Sequence, residues 1–256
     1  MTILPVRREK TNKPPLCPSG PAIDGPESLA LALAGLLAHD PGPVSAMLAL
    51  GGAPPLRLQA PGFAGLASIV ISQQVSVASA SAIYTRLAQR FQPLEARALL
   101  AAGDEDFRSC GLSGAKIRTL RALSAAVVHG GLDLAALGAL PAAEAHRALT
   151  AVKGIGPWTA DVFLLSCLGH ADAWPAGDIA LQEAARIVLK LGNRPDAREM
   201  EAIGERWRPW RAVAARLLWS TYKVCTGRAG LAEPRKRAAP GISLPLGACH
   251  RLRDLG

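Results

Sequence analysis

Residues 149–165 have the sequence LTAVKGIGPWTADVFLL, in which one helical pattern stops and a second begins almost at once. Gly154 and Gly156 bracket the apolar Ile155, which can insert into a core, and Pro157 stands where the first turn of a helix accepts proline. Glycine lacks a Cβ, so main-chain N–H groups here can approach a phosphate closely. The second helix points its unpaired N–H donors at the same place. The pattern predicts a helix–hairpin–helix that holds a phosphate backbone without reading base sequence.

A bare Gly-x-Gly is more typical of an ordinary turn between two helices, with glycine as the C-cap. The longer string, with Lys153 before the first glycine and Pro157 after the second, favours the phosphate-binding interpretation. A monovalent cation held by the hairpin carbonyls could add to the grip, and we expect no other cofactor.

The rest of the chain predicts helices and no strand, so the expected class is all-α. Leucine and alanine dominate while β-branched and aromatic residues are sparse, which favours helices. Apolar spacing and capping signals predict helices at 27–39, 44–50, 63–73, 75–91, 94–102, 105–110, 113–130, 141–152, 158–168, 178–191, 196–205 and 209–226.

The composition limits compartment and partners. The formal net charge is +9 and the pI about 9.8, which suits a polyanionic partner. Much of the excess lies in a predicted disordered leader (1–25) and a basic flexible tail (231–256), which either are simply solvated or touch DNA. The five cysteines are scattered, and neither a secretory signal nor a membrane span is predicted. We expect a cytoplasmic protein, associated with the nucleoid when bound to DNA.

Three stretches carry a resemblance to a known family. Besides the hairpin they are IVISQQVSVA (69–78) and ERWRPWRAVAARLLW (205–219), with GLSGAK (111–116) as a weaker match. Together they resemble the helix-hairpin-helix DNA glycosylase superfamily, and within it the DNA-3-methyladenine glycosylase II branch. The resemblance covers about residues 26–230. It implies a monomer with two helical lobes, 62–170 and 26–61 with 171–230, and no extra N-terminal β domain. Double-stranded DNA is expected across the active-site cleft between the lobes.

The resemblance places a catalytic carboxylate on Asp178. Breaking a base–sugar bond builds positive charge on the sugar, which a carboxylate can stabilise while it orients water. From pattern alone Asp178 is a helix N-cap, since it precedes an apolar periodic run, and the two roles are compatible. Asp172 is a nearby competitor that matches no motif.

Trp158 bears on the reaction type. Superfamily members that also cut the strand use a hairpin lysine as an amine nucleophile, and this chain has Trp158 in the matching place. Lys153 lies on the other side of the glycines. The resemblance therefore implies a monofunctional glycosylase that leaves an abasic site and has no lyase activity.

Electron-rich rings suit a positively charged alkylated purine. The resemblance points to Trp219 as a wall of the base pocket and makes Trp158 and Trp174 candidates, although core packing is an equal alternative for each. Trp207 and Trp210 are expected to be structural.

The remaining candidate DNA contacts are Lys153, Gly154, Ile155, Gly156 and Thr159 in the hairpin, and Gln73 and Gln74, which are expected mid-helix. Some relatives carry an apolar wedge where Gln74 stands. Gln74 would instead fill the gap left by the extruded base with hydrogen bonds to the orphaned partner base.

The predicted function is removal of alkylated purines of the 3-methyladenine and 7-methylguanine type in base excision repair. One alternative is a module that binds damaged DNA without chemistry, and another is a glycosylase for deaminated or cyclic purine adducts. The five histidines are dispersed, so no metal site is expected.

Overall fold

A computed structural model describes residues 22–227, so the basic tail and all but the last residues of the leader lie outside the described residues. Within that range every regular element is a helix, which confirms the all-α prediction. The helices are α1 (Pro26–His39), α2 (Pro41–Gly51), α3 (Gly62–Ser72), α4 (Val77–Arg90), α5 (Ala96–Ala101), α6 (Asp104–Ser109), α7 (Gly114–Val128), α8 (Ala142–Thr150), α9 (Pro157–Ser166), α10 (Ile179–Val188), α11 (Ala197–Gly204) and α12 (Arg211–Thr226). Short 3₁₀ turns occupy Ala136–Ala139 and Glu205–Trp207.

One helix boundary differs from the sequence prediction in a way that affects the site. The apolar pattern predicts a helix from residue 75, but α4 begins at Val77 with Ser76 as its N-cap. The Ser76 hydroxyl accepts a hydrogen bond from Ser79 N at 3.1 Å. The cap satisfies an otherwise unpaired donor in the first turn of α4, so the helix begins there. A short turn therefore separates α3 from α4.

Within the described part of the chain, buried side chains form two clusters. The smaller one is enclosed by α3 to α7 and includes Val70, Leu87, Phe107 and Leu120. The larger one is built around α9 and receives side chains from α1, α2, α10 and α12. Helix α9 is buried on nearly all sides, which accounts for its lack of a polar face. The hairpin helix is therefore held inside the fold, and only its N-terminal end is left for a ligand.

The N-terminal and C-terminal helices pack together, since α2 and α10 both lie against α12 and α1 also contacts it. Arg216 in α12 adds a polar tie, donating to Leu56 O at 2.5 Å and to Leu165 O at 3.0 Å. Burial, and then the charge of Arg57, lowers the pKa of Arg216 to about 10. This guanidinium joins the connector before α3 to the C-terminal end of α9. The lobe boundaries proposed above stay a prediction.

No helix within residues 22–227 is both long enough and apolar enough to cross a membrane.

Candidate active site

The hairpin between α8 and α9 is a tight turn anchored by its central apolar residue. Ile155 N donates to Val152 O at 3.0 Å, and the Ile155 side chain is only 3% exposed within the larger core cluster. Ile155 was predicted to contact DNA, but its side chain faces the core, so only its main chain can take that part. Lys153 is exposed beside it. The turn thus presents its backbone and one cation outward.

The two glycines of the hairpin have different physical roles. Gly154 has φ +92°, and a Cβ there would overlap Thr119 of α7, at 2.9 Å from both its Cβ and its Cγ2. Gly156 has an ordinary φ of −87°, and a Cβ there would meet nothing within 4 Å. Gly154 is therefore required by the fold, whereas the fold does not require Gly156. Gly156 is the N-cap of α9, and no side chain caps that helix, so its first-turn donors stay available.

Asp178 is the N-cap of α10, as its sequence pattern predicts. Its Oδ1 accepts from Ala180 N at 2.9 Å and from Leu181 N at 3.0 Å. The residue is 8% exposed, so the carboxylate is almost fully buried and its position is set by the helix end. Gln182, one turn further on, donates to Ala176 O at 3.0 Å and thereby holds the loop that leads into Asp178.

Two tryptophans from different helices converge on this carboxylate. Trp158 Nε1 donates to Asp178 Oδ2 at 2.9 Å, and Trp219 Nε1 donates to Asp178 Oδ1 at 3.2 Å. Both rings are half-buried, which leaves part of each aromatic surface open beside the carboxylate. The structure therefore brings together three residues that lie 20 and 41 positions apart in the sequence.

Trp174, the third candidate for the base pocket, lies in the interior instead. It is 2% exposed, stacks edge-to-face on Trp207 with 5.6 Å between the ring centroids, and donates from Nε1 to Met200 O at 2.9 Å. Its ring packs in the core and its Nε1–H is already hydrogen-bonded there, so neither is available to a base. We therefore correct the prediction and assign Trp174 to packing. Trp207 is fully buried and donates to Asp40 Oδ2 at 2.9 Å, which makes it structural as expected.

The glutamines were expected mid-helix, which was wrong, although the predicted bounds 63–73 and 75–91 left Gln74 between two helices. Gln73 is the C-cap of α3, and Gln74 follows it in the turn to α4 with φ +56°. Gln74 and Val75 are exposed, so the turn projects away from the core. A left-handed conformation at a residue other than glycine or asparagine is strained, and such strain is concentrated at functional sites.

Gln73 and Thr159 contact each other and are therefore not both free to bind DNA. Gln73 Nε2 donates to Thr159 Oγ1 at 2.7 Å, and Thr159 is 2% exposed. Thr159 was predicted as a DNA contact, but its burial removes the side chain from the surface. The bond instead joins the α3–α4 turn to the first turn of α9. It places the exposed Gln74 at a defined position relative to the hairpin.

Asp172, the competitor for the catalytic role, is occupied by arginines. Arg211 Nε donates to its Oδ1 at 2.7 Å, and both Arg208 and Arg211 contact its Oδ2. These ion pairs tie the loop before α10 to the start of α12. Asp172 is therefore structural.

Sequence patterns did not single out a partly buried pair behind the hairpin. Asp161 of α9 lies 3.7 Å from Nε2 of His146 on α8. Burial, and secondarily the charge of Glu201, raises the pKa of Asp161 to about 8, and burial lowers the pKa of His146. Although the distance is that of an ion pair, both shifts favour two neutral groups near neutral pH.

Lys116, from the weaker sequence match, has a structural use. Its Nζ donates to Ile71 O at 2.5 Å, at the C-terminal end of α3, and burial lowers its pKa. The contact fixes α7 against the turn that carries Gln74. Within residues 22–227, no group of three or more histidine, cysteine, aspartate or glutamate side chains could hold a metal ion.

Comparisons with known proteins bear on this arrangement. A family model described as HhH-GPD superfamily base excision DNA repair protein matches residues 67–209. A Mycobacterium tuberculosis protein named "Probable bifunctional transcriptional activator/DNA repair enzyme AlkA" is 34% identical over 212 residues, which cover 73% of this chain and 41% of that protein. This chain thus spans about two fifths of that relative's length.

Two further relatives are similar over more of their own length. DNA-3-methyladenine glycosylase 1 of Schizosaccharomyces pombe is 32% identical over 165 residues, covering 60% of this chain and 70% of that protein. The solved structure of a 3-methyladenine DNA glycosylase from the same yeast, in complex with abasic DNA, superposes with a TM-score of 0.67 at 26% identity. That match covers 75% of this chain and 95% of the other.

Proposed function

Since this chain belongs to the HhH-GPD superfamily of base excision DNA repair proteins, we propose that it is a monofunctional DNA glycosylase that removes alkylated purines. The observation that carries the proposal is the Asp178 carboxylate, nearly buried and held by indole N–H groups of Trp158 and Trp219. The names of the relatives, which are 3-methyladenine glycosylases, support the same substrate class.

Binding of double-stranded DNA is assigned to the hairpin. The uncapped N-terminus of α9 offers main-chain donors and the positive end of a helix dipole to one phosphate. The open space at Gly156 lets the backbone approach, and the exposed Lys153 adds charge. These contacts fix the protein on the duplex without reading its sequence, and one copy of the chain is sufficient for them.

Besides the DNA phosphate, we propose that the hairpin binds a monovalent cation. Its ligands would be main-chain carbonyls, and Val152 O, which accepts a single hydrogen bond from Ile155 N, has a second lone pair available. The neighbouring side chain is Lys153 rather than a carboxylate, so the donor set suits a weakly bound monovalent ion better than a divalent one. Such an ion would add positive charge next to the phosphate.

Asp178 is proposed to act on the extruded nucleotide. As the base–sugar bond breaks, its electron pair leaves with the base and positive charge develops on the sugar. A carboxylate fixed at a helix end, and shielded from bulk water, stabilises that charge more effectively than a solvated one. The same carboxylate can accept a proton from the attacking water. The products are the free base and an abasic site.

The proposed reaction ends at hydrolysis because none of the described residues that contact Asp178 carries an amine. Trp158 occupies the position at which the resemblance places a nucleophilic lysine, and its N–H donates to Asp178. Lys153 belongs to the exposed part of the hairpin, on the far side of Gly154. A Schiff base with the abasic sugar, which strand cleavage by a lyase needs, therefore has no nucleophile here.

The preference for alkylated purines is argued from charge. An N-alkylated purine is cationic and leaves as a neutral base, so it needs little acid assistance. The partly exposed rings of Trp158 and Trp219 offer electron-rich surfaces on which such a base can stack. The turn with Gln74 is proposed to enter the duplex and bond to the orphaned partner base, since it is exposed and tied to α9 through Gln73.

The proposal is tested with Asp178→Asn on duplex DNA treated with a methylating agent. Asparagine is also a good N-cap, so the variant keeps the start of α10 and loses only the carboxylate charge. We expect the wild type to release methylated purines and the variant to release at least a hundredfold more slowly (~2.7 kcal/mol, the low end for losing one electrostatic stabiliser).

Two controls complete this experiment. Asp172→Asn removes a structural carboxylate. It should lower the free energy of unfolding, and its main effect should not be on the rate of base release per folded molecule. Borohydride added during turnover should trap no covalent adduct, because no amine attacks the sugar. Release by Asp178→Asn at the wild-type rate would contradict the catalytic assignment, and binding without any release by the wild type would favour a binding module.

A further inference from the structure

The four N–H donors around Asp178 are divided unequally between its two oxygens. Oδ1 accepts from Ala180 N at 2.9 Å, from Leu181 N at 3.0 Å and from Trp219 Nε1 at 3.2 Å. Of the donors between residues 22 and 227, Oδ2 accepts from Trp158 Nε1 alone, at 2.9 Å. An ionised carboxylate has about two acceptor sites on each oxygen. Among the described residues, Oδ1 is therefore fully occupied and Oδ2 keeps one acceptor site.

We propose that Oδ2 is the reactive oxygen of Asp178 and that Trp158 is the residue that positions it. This inference rests on the proposed glycosylase function, in which Asp178 is catalytic. Oδ1 serves the fold, because its three donors cap α10 and attach α12. The remaining acceptor site of Oδ2 is the place where the carboxylate can meet a substrate sugar or a water molecule.

The positions of the donors explain why Trp158 has this role and Trp219 does not. Trp158 is the second residue of α9, directly after the hairpin, so the helix end proposed to hold DNA also carries the donor to Oδ2. Trp219 adds a longer bond to an oxygen that two main-chain donors already hold. If Trp219 loses its N–H, Oδ1 stays in place. If Trp158 loses its N–H, the described residues leave Oδ2 with no donor.

The local environment makes the Trp158 bond effective. Asp178 is 8% exposed and Trp158 is half-buried, so little water competes for the carboxylate. A hydrogen bond to an ionised acceptor in such surroundings is stronger than one in bulk solvent. It also restricts rotation of the carboxylate about its own axis, which the cap on Oδ1 alone does not prevent completely.

The reaction balances on this assignment. The N-glycosidic bond breaks and its electron pair leaves on the base, so a cationic alkylpurine departs neutral. A lone pair of water forms the new C–O bond at the sugar, and the proton that this water loses passes to the open site of Oδ2. That proton then leaves to solvent and the carboxylate is restored. The Trp158 N–H keeps its bond to Oδ2 throughout.

The test compares Trp158→Phe with Trp219→Phe, the matched change at the other indole that donates to Asp178. Each change keeps an aromatic ring and removes one indole N–H. For Trp158→Phe we expect the single-turnover rate of methylpurine release to fall at least about tenfold, as loss of a bond to a charged group predicts. Trp219→Phe should also lower the rate, because this ring belongs to the proposed base pocket, but by a clearly smaller factor than Trp158→Phe. Affinity for duplex DNA carrying an uncleavable abasic-site analogue should stay within about twofold of wild type for both, since the hairpin contacts are kept.

The pH–rate profile supplies a readout that lost packing would not change. Removing a donor to the charged carboxylate disfavours ionisation, so the acidic limb should move further to higher pH in Trp158→Phe than in Trp219→Phe, whose bond is the longer of the two. Equal rate losses and equal profiles in the two variants would overturn the assignment of Oδ2, while Asp178→Asn still abolished release. Full activity of Asp178→Asn would instead remove the proposed function itself.

A second measurement leaves both tryptophans in place and observes their indole protons by NMR. In a spectrum of the ¹⁵N-labelled chain, the indole proton of Trp158 should show the larger downfield shift of the two, because its bond is the shorter. Asp178→Asn should move the Trp158 signal more than the Trp219 signal. A Trp158 signal that does not respond to Asp178→Asn would refute the inference even if Trp158→Phe failed to fold.

Discussion

Gly154→Ala and Gly156→Ala should separate the folding role of the hairpin from its DNA-binding role. At Gly154 an alanine would be forced into φ +92° and would overlap Thr119. The left-handed backbone alone costs about 1–2 kcal/mol, and the overlap adds to it. We therefore expect Gly154→Ala to lower the free energy of unfolding by at least about 2 kcal/mol, which is a fall in Tm of roughly 4–8 °C for a domain of this size.

Gly156→Ala should instead have a small effect on stability and a large effect on DNA binding. Its φ of −87° suits alanine and the space around it is open, so the cost is that of a poorer N-cap, about 0.5–1 kcal/mol. The new Cβ, however, stands where a phosphate is proposed to approach the first-turn donors of α9. Pushing the phosphate away should weaken DNA binding at least about tenfold, or 1.4 kcal/mol.

The assay pairs thermal unfolding with fluorescence anisotropy on duplex DNA that contains an abasic-site analogue. Salt concentration is fixed, because phosphate contacts depend strongly on it. Gly42→Ala is the control, since Gly42 lies within α2 and a Cβ there meets nothing within 4 Å. Wild-type affinity in Gly156→Ala would refute the hairpin as the DNA grip, and wild-type stability in Gly154→Ala would refute its role in the fold.

Two further predictions concern buried contacts. The pKa of Asp161 is raised above its ordinary 3.8 to about 8. The contribution of its neutral carboxyl to the free energy of unfolding is therefore fully present below about pH 4 and is lost as the pH rises through 8. Asp161→Asn should therefore unfold like wild type at pH 4 and be more stable at pH 8 in denaturant titrations. A difference that does not vary with pH would contradict this. Thr159→Val removes the acceptor for Gln73 and keeps the shape. We expect a loss of about 0.5–1.5 kcal/mol and slower base release with unchanged DNA affinity, and unchanged release would show that the tie does not position the turn.

Much of the site was predictable because it depends on local chemistry. The proline that opens α9 and the capping aspartate each act within a few residues of their own position, so their sequence pattern carries the physical reason for the structure. Gly154 is only partly local, because it also leaves room for Thr119 of α7. The cap at Asp178 is an example, since both of its main-chain donors lie within three residues.

The predictions were wrong where contacts between distant residues, and not the local sequence pattern, decide the structure. The predicted helices 63–73 and 75–91 leave only Gln74 between them, yet the break runs from Gln73 to Ser76, and Gln74 takes a left-handed turn with neither glycine nor proline to mark it. Ser76 was the available signal, because its spacing to Ser79 is that of an N-cap. Trp174 was misassigned because a count of tryptophans does not tell which ring meets α11 and which faces the carboxylate.

The sequence by itself determined the helices, the hairpin and the cap, because hydrogen bonds between near neighbours decide these. It also suggested through resemblance which aspartate is catalytic. Only the tertiary structure decided how that aspartate is held. Trp158 and Trp219 reach it from α9 and α12 because the buried faces of those helices pack into one core. Helix packing alone sets the distances between such residues, and with them the difference between the two carboxylate oxygens.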